Sequence, residues 1–167
     1  MSHITDDVEG AHGELIRRVA GEYVHRLFPA FRSPAYLACP DETTESAAIA
    51  AIATAASVKG VSTEVIDLRP APAERLNGVT DRLHGFHGPD SGGAGATLLV
   101  LTGFDLLEGE QNEAPTYPFR SQFQFDQEHL WLFVGRDWGR LRRLFNSYSL
   151  PLYNAASSCT PEEWRHS

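Results

Sequence analysis

Lysine is almost missing from this 167-residue chain: it occurs once, at Lys59, against 13 arginines. A Walker-type phosphate loop needs a lysine where the following helix begins, to reach the β and γ oxygens of a nucleotide. Lys59 falls instead at the far end of the helical pattern that would follow such a loop. Cysteine is nearly as scarce. Cys39 and Cys159 lie far apart and in no metal-ligand spacing, which excludes a disulfide framework and a zinc ribbon. No apolar run approaches the ~20 residues needed to span a bilayer. The first residues show no basic flank leading into an apolar core. A cytoplasmic protein with no membrane partner is the expectation.

What the chain does contain suits one globular domain, since its 42% hydrophobic and 22% charged residues can cover a single core. Its net charge of −8 is unevenly spread. Residues 1–115 carry 17 acidic and 8 basic side chains, whereas residues 116–167 carry 5 and 6. The acidic total argues against nucleic acid as a direct partner, and the C-terminal third is where an acidic partner would be tolerated.

Residues 1–13 read as a flexible N-terminus, residues 14–155 as one α/β domain and residues 156–167 as a C-terminal tail. From Glu14 to Phe28 apolar residues recur at three- and four-residue steps, predicting an amphipathic helix closed by Pro29. Ala35 to Cys39 is a short strand, followed by an alanine-rich helix from Thr44 to Val58 that Lys59-Gly60 stops. Val61 to Leu68 is a second strand, and Ala71 to Leu83 a helix weakened by Gly78. His84 to Ala96 is a glycine-rich loop. Two runs, Thr97 to Thr102 and His129 to Gly135, are apolar almost throughout and too short for globular helices, as in strands buried on both faces. A helix follows from about Asp137, and Leu150 to Asn154 is the candidate last strand, demoted to an edge by Pro151. Strand and helix alternate throughout. The right-handed crossover rule then predicts a three-layer α/β sandwich around a mostly parallel five-stranded sheet, degenerate P-loop-like or Rossmann-like in order.

The segment Pro40-Asp41-Glu42-Thr43-Thr44 occupies the place of a phosphate loop but has no glycine, no lysine and two carboxylates. Those carboxylates suit the positive end of a helix as capping charges. Asp105 follows the strand ending at Thr102 in the manner of a Walker B aspartate, though Gly103 and Phe104 intervene. It is the one candidate cofactor-binding residue; no cofactor and no metal is expected. His84 and His87, with Asp81 and Asp90, read as surface residues of a mobile loop, and Cys39 as a structural thiol. Ser121, Asp126 and His129 are close in sequence, but no nucleophile elbow surrounds the serine.

Candidate partner-binding residues lie further on. Thr116 to Ser121 reads as a loop beyond the carboxyl end of a strand, where open parallel sheets place ligands, and carries Tyr117, Phe119 and Arg120. Arg136, Arg140 and Arg143 share one helix face and form a cationic ridge. Exposed aromatics beside arginine are typical interface anchors.

The chain resembles the BrxB-like family of BREX phage-defence systems. The resemblance rests on Pro40-Asp41-Glu42, the strand Val61 to Leu68, Leu101-Thr102-Gly103, Tyr117-Pro118-Phe119-Arg120-Ser121, Leu132-Phe133-Val134-Gly135 and Leu141-Arg142-Arg143-Leu144-Phe145. It covers residues 33–155. Arg120 follows Phe119 directly and the tail from Cys159 differs, both departures from the family pattern. The resemblance implies a non-enzymatic accessory or scaffolding subunit that binds a larger, PglZ-type partner protein. The alternative is a degenerate P-loop-type domain that binds a nucleotide or phosphoester without a complete Walker A motif.

Overall fold

The computed structural model describes residues 13–23, 25, 34–84, 97–109 and 113–165. Five strands form one all-parallel sheet: β1 (Ala35–Ala38), β2 (Ser62–Asp67), β3 (Thr97–Thr102), β4 (His129–Gly135) and β5 (Ser157–Ser158), in the order β2-β3-β4-β1-β5. The helices are α1 (residues 13–23), α2 (Glu42–Val58), α3 (Pro72–His84), α4 (Glu113–Phe123) and α5 (Trp138–Asn146). Among the described residues no helix is long and apolar enough to cross a membrane.

Strands β3 and β4 are apolar almost throughout because helices cover both of their faces. Leu98, Val100, Leu130, Leu132 and Val134 point to one side, where Ile16, Val19 and Tyr23 of α1 and Ala48, Ile52 and Ala56 of α2 meet them. The alanines of α2 let that helix approach closely. Leu99, Leu101, Trp131 and Phe133 point to the other side, against Leu76 and Val79 of α3, Phe119 and Phe123 of α4, and Leu141 and Phe145 of α5. Aromatic rings dominate this second layer. Phe104 and Phe133 lie 4.5 Å apart between centroids, Phe123 and Trp131 5.1 Å, and Tyr36 stacks on Phe145 at 4.9 Å.

Three expectations are corrected. Thr116 to Ser121 is part of helix α4, with Pro118 inside it on the exposed side. Pro115, Phe119 and Phe123 are buried at four-residue intervals, so the stripe facing Trp131 and Phe133 holds the helix despite one amide lost to proline. Leu150 to Asn154 is turn rather than strand, and the fifth strand is Ser157–Ser158 instead. Leu152 is buried as a plug in the aromatic layer.

The residues read as a tail belong to the fold. Ser157 and Cys159 donate their amides to the carbonyls of Pro34 and Tyr36, and Thr160 Oγ1 accepts from Ala38 N at 2.9 Å. Trp164 is buried in the layer under α1, while Glu163 pairs with Arg18 at 3.1 Å and Arg165 lies 5.0 Å over the Trp138 ring. The predicted helix after residue 25 and the loop after His84, with His87 and Asp90, lie outside the described residues.

Candidate functional site

In a parallel sheet the crossovers leave ligands the crevice beyond the carboxyl ends of the strands. Here that edge holds the start of α2 and the turns after β2, β3 and β4. Asp41 caps α2: its Oδ1 accepts the Thr44 amide at 2.7 Å, one of the helix-start donors that would otherwise be offered to a phosphate. The capping expectation for this acidic segment is met. One turn further, Glu45 is buried and held between two arginines. Arg69, just past β2, donates Nη2 to its carboxylate, and Arg136, just past β4, places Nε 3.6 Å from the same oxygen.

The cluster continues along the edge. Asp67 Oδ1 accepts from Thr102 Oγ1 and from the Arg69 amide, each at 3.1 Å, and lies 3.6 Å from Arg69 Nη1. Gly103 at the end of β3 has φ +73, and a Cβ there would fall 2.6 Å from Arg69 Cγ. Glycine thus permits both the left-handed turn and the passage of the arginine.

Asp105, the candidate cofactor-binding residue, sits at this edge against the turn after β4. Its Oδ2 accepts from the Asp137 amide at 3.2 Å, and its carboxyl packs on Gly135, where a Cβ would come within 2.6 Å of Oδ1. Burial raises its pKa above the ordinary aspartate value, against the lowering effect of the Arg136 and Asp137 amides. The structure gives Asp105 the work of bracing the β4–α5 turn. Among the described residues no group of three or more histidine, cysteine or acidic side chains converges as a metal site. Cys39 is fully buried with a free thiol, and burial first, then the Glu45 charge, pushes its pKa far up. Such a thiol is inert.

The predicted partner residues separate. Phe119 is fully buried against Phe104, Phe123 and Trp131, which corrects its assignment to a surface. Tyr117 is exposed on α4. Arg120, also on α4, faces the opposite edge of the sheet: it shares a pocket with Pro34, His129 and Asn154, which precede or begin strands. Arg136 precedes α5, Arg140 lies in its first turn and Arg143 in its last; each is half-exposed and beside a carboxylate of this chain, Glu45, Asp137 and Glu108 respectively. Sequence periodicity also missed Tyr148 and Tyr153 beyond α5, both exposed, with rings 6.4 Å apart. Their one sequence signal was two tyrosines close together in a short segment after the predicted helix.

The order β2-β3-β4-β1-β5, with every strand parallel and β1 between β4 and the edge strand β5, defines an α/β fold of the P-loop ATPase kind. Solved structures with this fold include the Walker-type ATPase PABY2304 of Pyrococcus abyssi, at a TM-score of 0.52 and 12% identity over 89% of this chain. The Aeropyrum pernix ORC1 protein, solved in complex with DNA, gives 0.51 and 16% over 92%. This chain covers 53% and 45% of those two chains, about half their length. No family model and no curated protein matches the sequence.

Proposed function

We propose that this chain is a non-catalytic binding subunit that uses a P-loop ATPase fold as a scaffold. Its partner, on the sequence resemblance, is the larger PglZ-type protein of a phage-defence complex. One observation carries the non-catalytic part: the carboxyl edge is filled by the chain's own charges. Asp41 takes a helix-start amide, and Glu45 stands at the beginning of α2 as an internal anion between Arg69 and Arg136. The carboxylates of Asp41, Glu45, Asp67, Asp105, Glu108 and Asp137 outnumber the guanidinium groups of Arg69, Arg75, Arg136, Arg140 and Arg143 among the described residues around that edge. A triphosphate would meet repulsion there rather than a cradle.

The partner surface we assign is the outer face of α5 and the turn beyond it. Arg140 and Arg143 are half-exposed, and Tyr148 is 85% exposed. Tyrosine and arginine are the residue types that dominate interface energetics, and surface ion pairs as open as Arg143–Glu108 are weak enough to exchange for a partner's carboxylates. The experiment is co-purification of the tagged chain with the PglZ-type protein, using Arg140→Ala, Arg143→Ala and Tyr148→Ala combined. Recovery is expected to fall about tenfold or more with an unchanged melting temperature. Unchanged recovery, or no complex with the wild-type chain, overturns the assignment.

Nucleotide provides an independent check. A ligand bound only by the folded state raises the melting temperature, so millimolar Mg-ATP, Mg-ADP and Mg-GTP should leave it where it was. A rise of several degrees would instead favour a degenerate nucleotide-binding domain.

A further inference from the structure

At the amino edge of the sheet, on the far side from the filled carboxyl edge, lies a pocket of about 640 Å³, within the range of small-molecule sites. Its walls come from α4, from the turn after it and from the first residues of β4. Arg120 projects from α4 into this wall, and its Nη1 is buried with no hydrogen-bond partner among the described residues. A buried guanidinium nitrogen without an acceptor is costly, and an anionic oxygen is its best complement. Phe123 and Trp131 supply an apolar side, and Gln124 an exposed amide at the rim.

The pocket also has a fixed polar floor. The Asp126 side chain is 7% exposed and accepts from His129 Nδ1 at 3.1 Å, from the His129 amide at 3.2 Å and from Trp131 Nε1 at 2.9 Å. Burial opposes ionisation of Asp126, but the hydrogen bonds from His129 and Trp131 outweigh it and leave the pKa below the ordinary value. Asp126 is therefore an anion already committed to its own donors. It orients the imidazole and the indole, and it repels a doubly charged ligand.

We propose that this pocket binds a small molecule bearing a single carboxylate, with Arg120 as the anchoring cation and the Phe123–Trp131 wall receiving its apolar body. A monocarboxylate pairs with the Arg120 guanidinium, whose Nη1 lacks a partner among the described residues, and adds one charge beside Asp126. A phosphate monoester would add nearly two and has one arginine to meet it. The site is separate from the α5 face, so either assignment can fail without the other.

The test is a titration of the full chain with benzoate and hexanoate, followed by amide and indole NMR shifts, with benzamide and hexanamide as uncharged controls and inorganic phosphate as the competing anion. The acids are expected to shift Arg120, His129 and Trp131 signals and to bind at least about tenfold tighter than the amides. Arg120→Gln should lose that preference and Arg120→Lys should keep part of it. Equal binding of acids and amides, unchanged binding by Arg120→Gln, or no shifts at these residues would each overturn the proposal. So would phosphate occupying the pocket in preference to the acids. If Arg120→Gln does not fold, the ratio of acid to amide affinity on the wild-type chain decides.

Discussion

Trp131→Ala is expected to lower the stability of the fold by about 3–5 kcal/mol, the usual cost of truncating a large buried aromatic. Trp131 is 3% exposed in the middle of the central strand β4. Its ring meets Phe119 and Phe123 of α4 edge-on, at 5.8 and 5.1 Å, and stacks on Phe133 at 6.0 Å. Loss of the indole would open a void between β4 and α4, and α4 contains a proline that leaves it dependent on this packing. It would also remove the Nε1 donor to Asp126. Since domains of this size are stable by only about 5–15 kcal/mol, such a loss brings the chain close to unfolding. Urea denaturation at neutral pH measures it. A decrease under about 1 kcal/mol would mean that α4 is not seated on β4 as described.

The second large effect concerns the filled carboxyl edge. Glu45→Ala should destabilise by about 2–4 kcal/mol, somewhat below the range for breaking a fully buried pair because Arg69 and Arg136 remain partly hydrated. The Glu45 side chain is 6% exposed, against 28% for Arg69 and 39% for Arg136. Removing it leaves two guanidinium groups that converge on one absent carboxylate. A double-mutant cycle of Glu45→Ala with Arg69→Ala isolates the pair. Additive losses would show that Glu45 is a solvated capping charge and that the edge is open to anions.

Acid should act through Asp126. Its pKa is depressed in the folded chain, so the stability it contributes is fully present above the unfolded-state value near 3.8 and disappears as pH falls through the lower folded value. Asp126→Asn should therefore cost most at neutral pH, and its deficit relative to the wild type should shrink on acidification below about pH 4. Asp105 acts in the opposite sense, because burial raises its pKa and favours the protonated form. Its contribution is present below its unfolded value of 3.8 and is lost as pH rises through the folded one. A deficit of Asp126→Asn that grows on acidification would contradict the His129–Trp131 network.

The sequence by itself determined the layered α/β architecture. The runs Thr97 to Thr102 and His129 to Gly135 are apolar on both alternating sets of positions, apart from Thr97, Thr102 and His129 at their ends, as in a sheet covered on both faces, and the alternation of strands with helices requires parallel crossovers. The absence of lysine and glycine before α2 was equally legible, because a phosphate cradle depends on residue types that stand at fixed positions in the chain. Strand order was not legible. It follows from which neighbours bury the most surface, and β1 pairs with β4 and β5 through residues about a hundred positions away.

The same limit explains the misplaced site residues. Pro118 obscured a helix whose stripe of Pro115, Phe119 and Phe123 is held by β4, so the expected loop became core at Phe119. Arg120 was grouped with Arg136, Arg140 and Arg143 through its charge, yet α4 runs back toward the amino edge and carries it to the other end of the sheet. Glu45, Arg69 and Arg136 lie in three separate segments, and no local pattern links them. Their convergence was decided by the tertiary structure alone, because side chains that follow two parallel strands and one that begins a helix meet only after the sheet has formed. Local chemistry is written in residue type and spacing; the pairing of charges at an edge depends on which strands lie side by side.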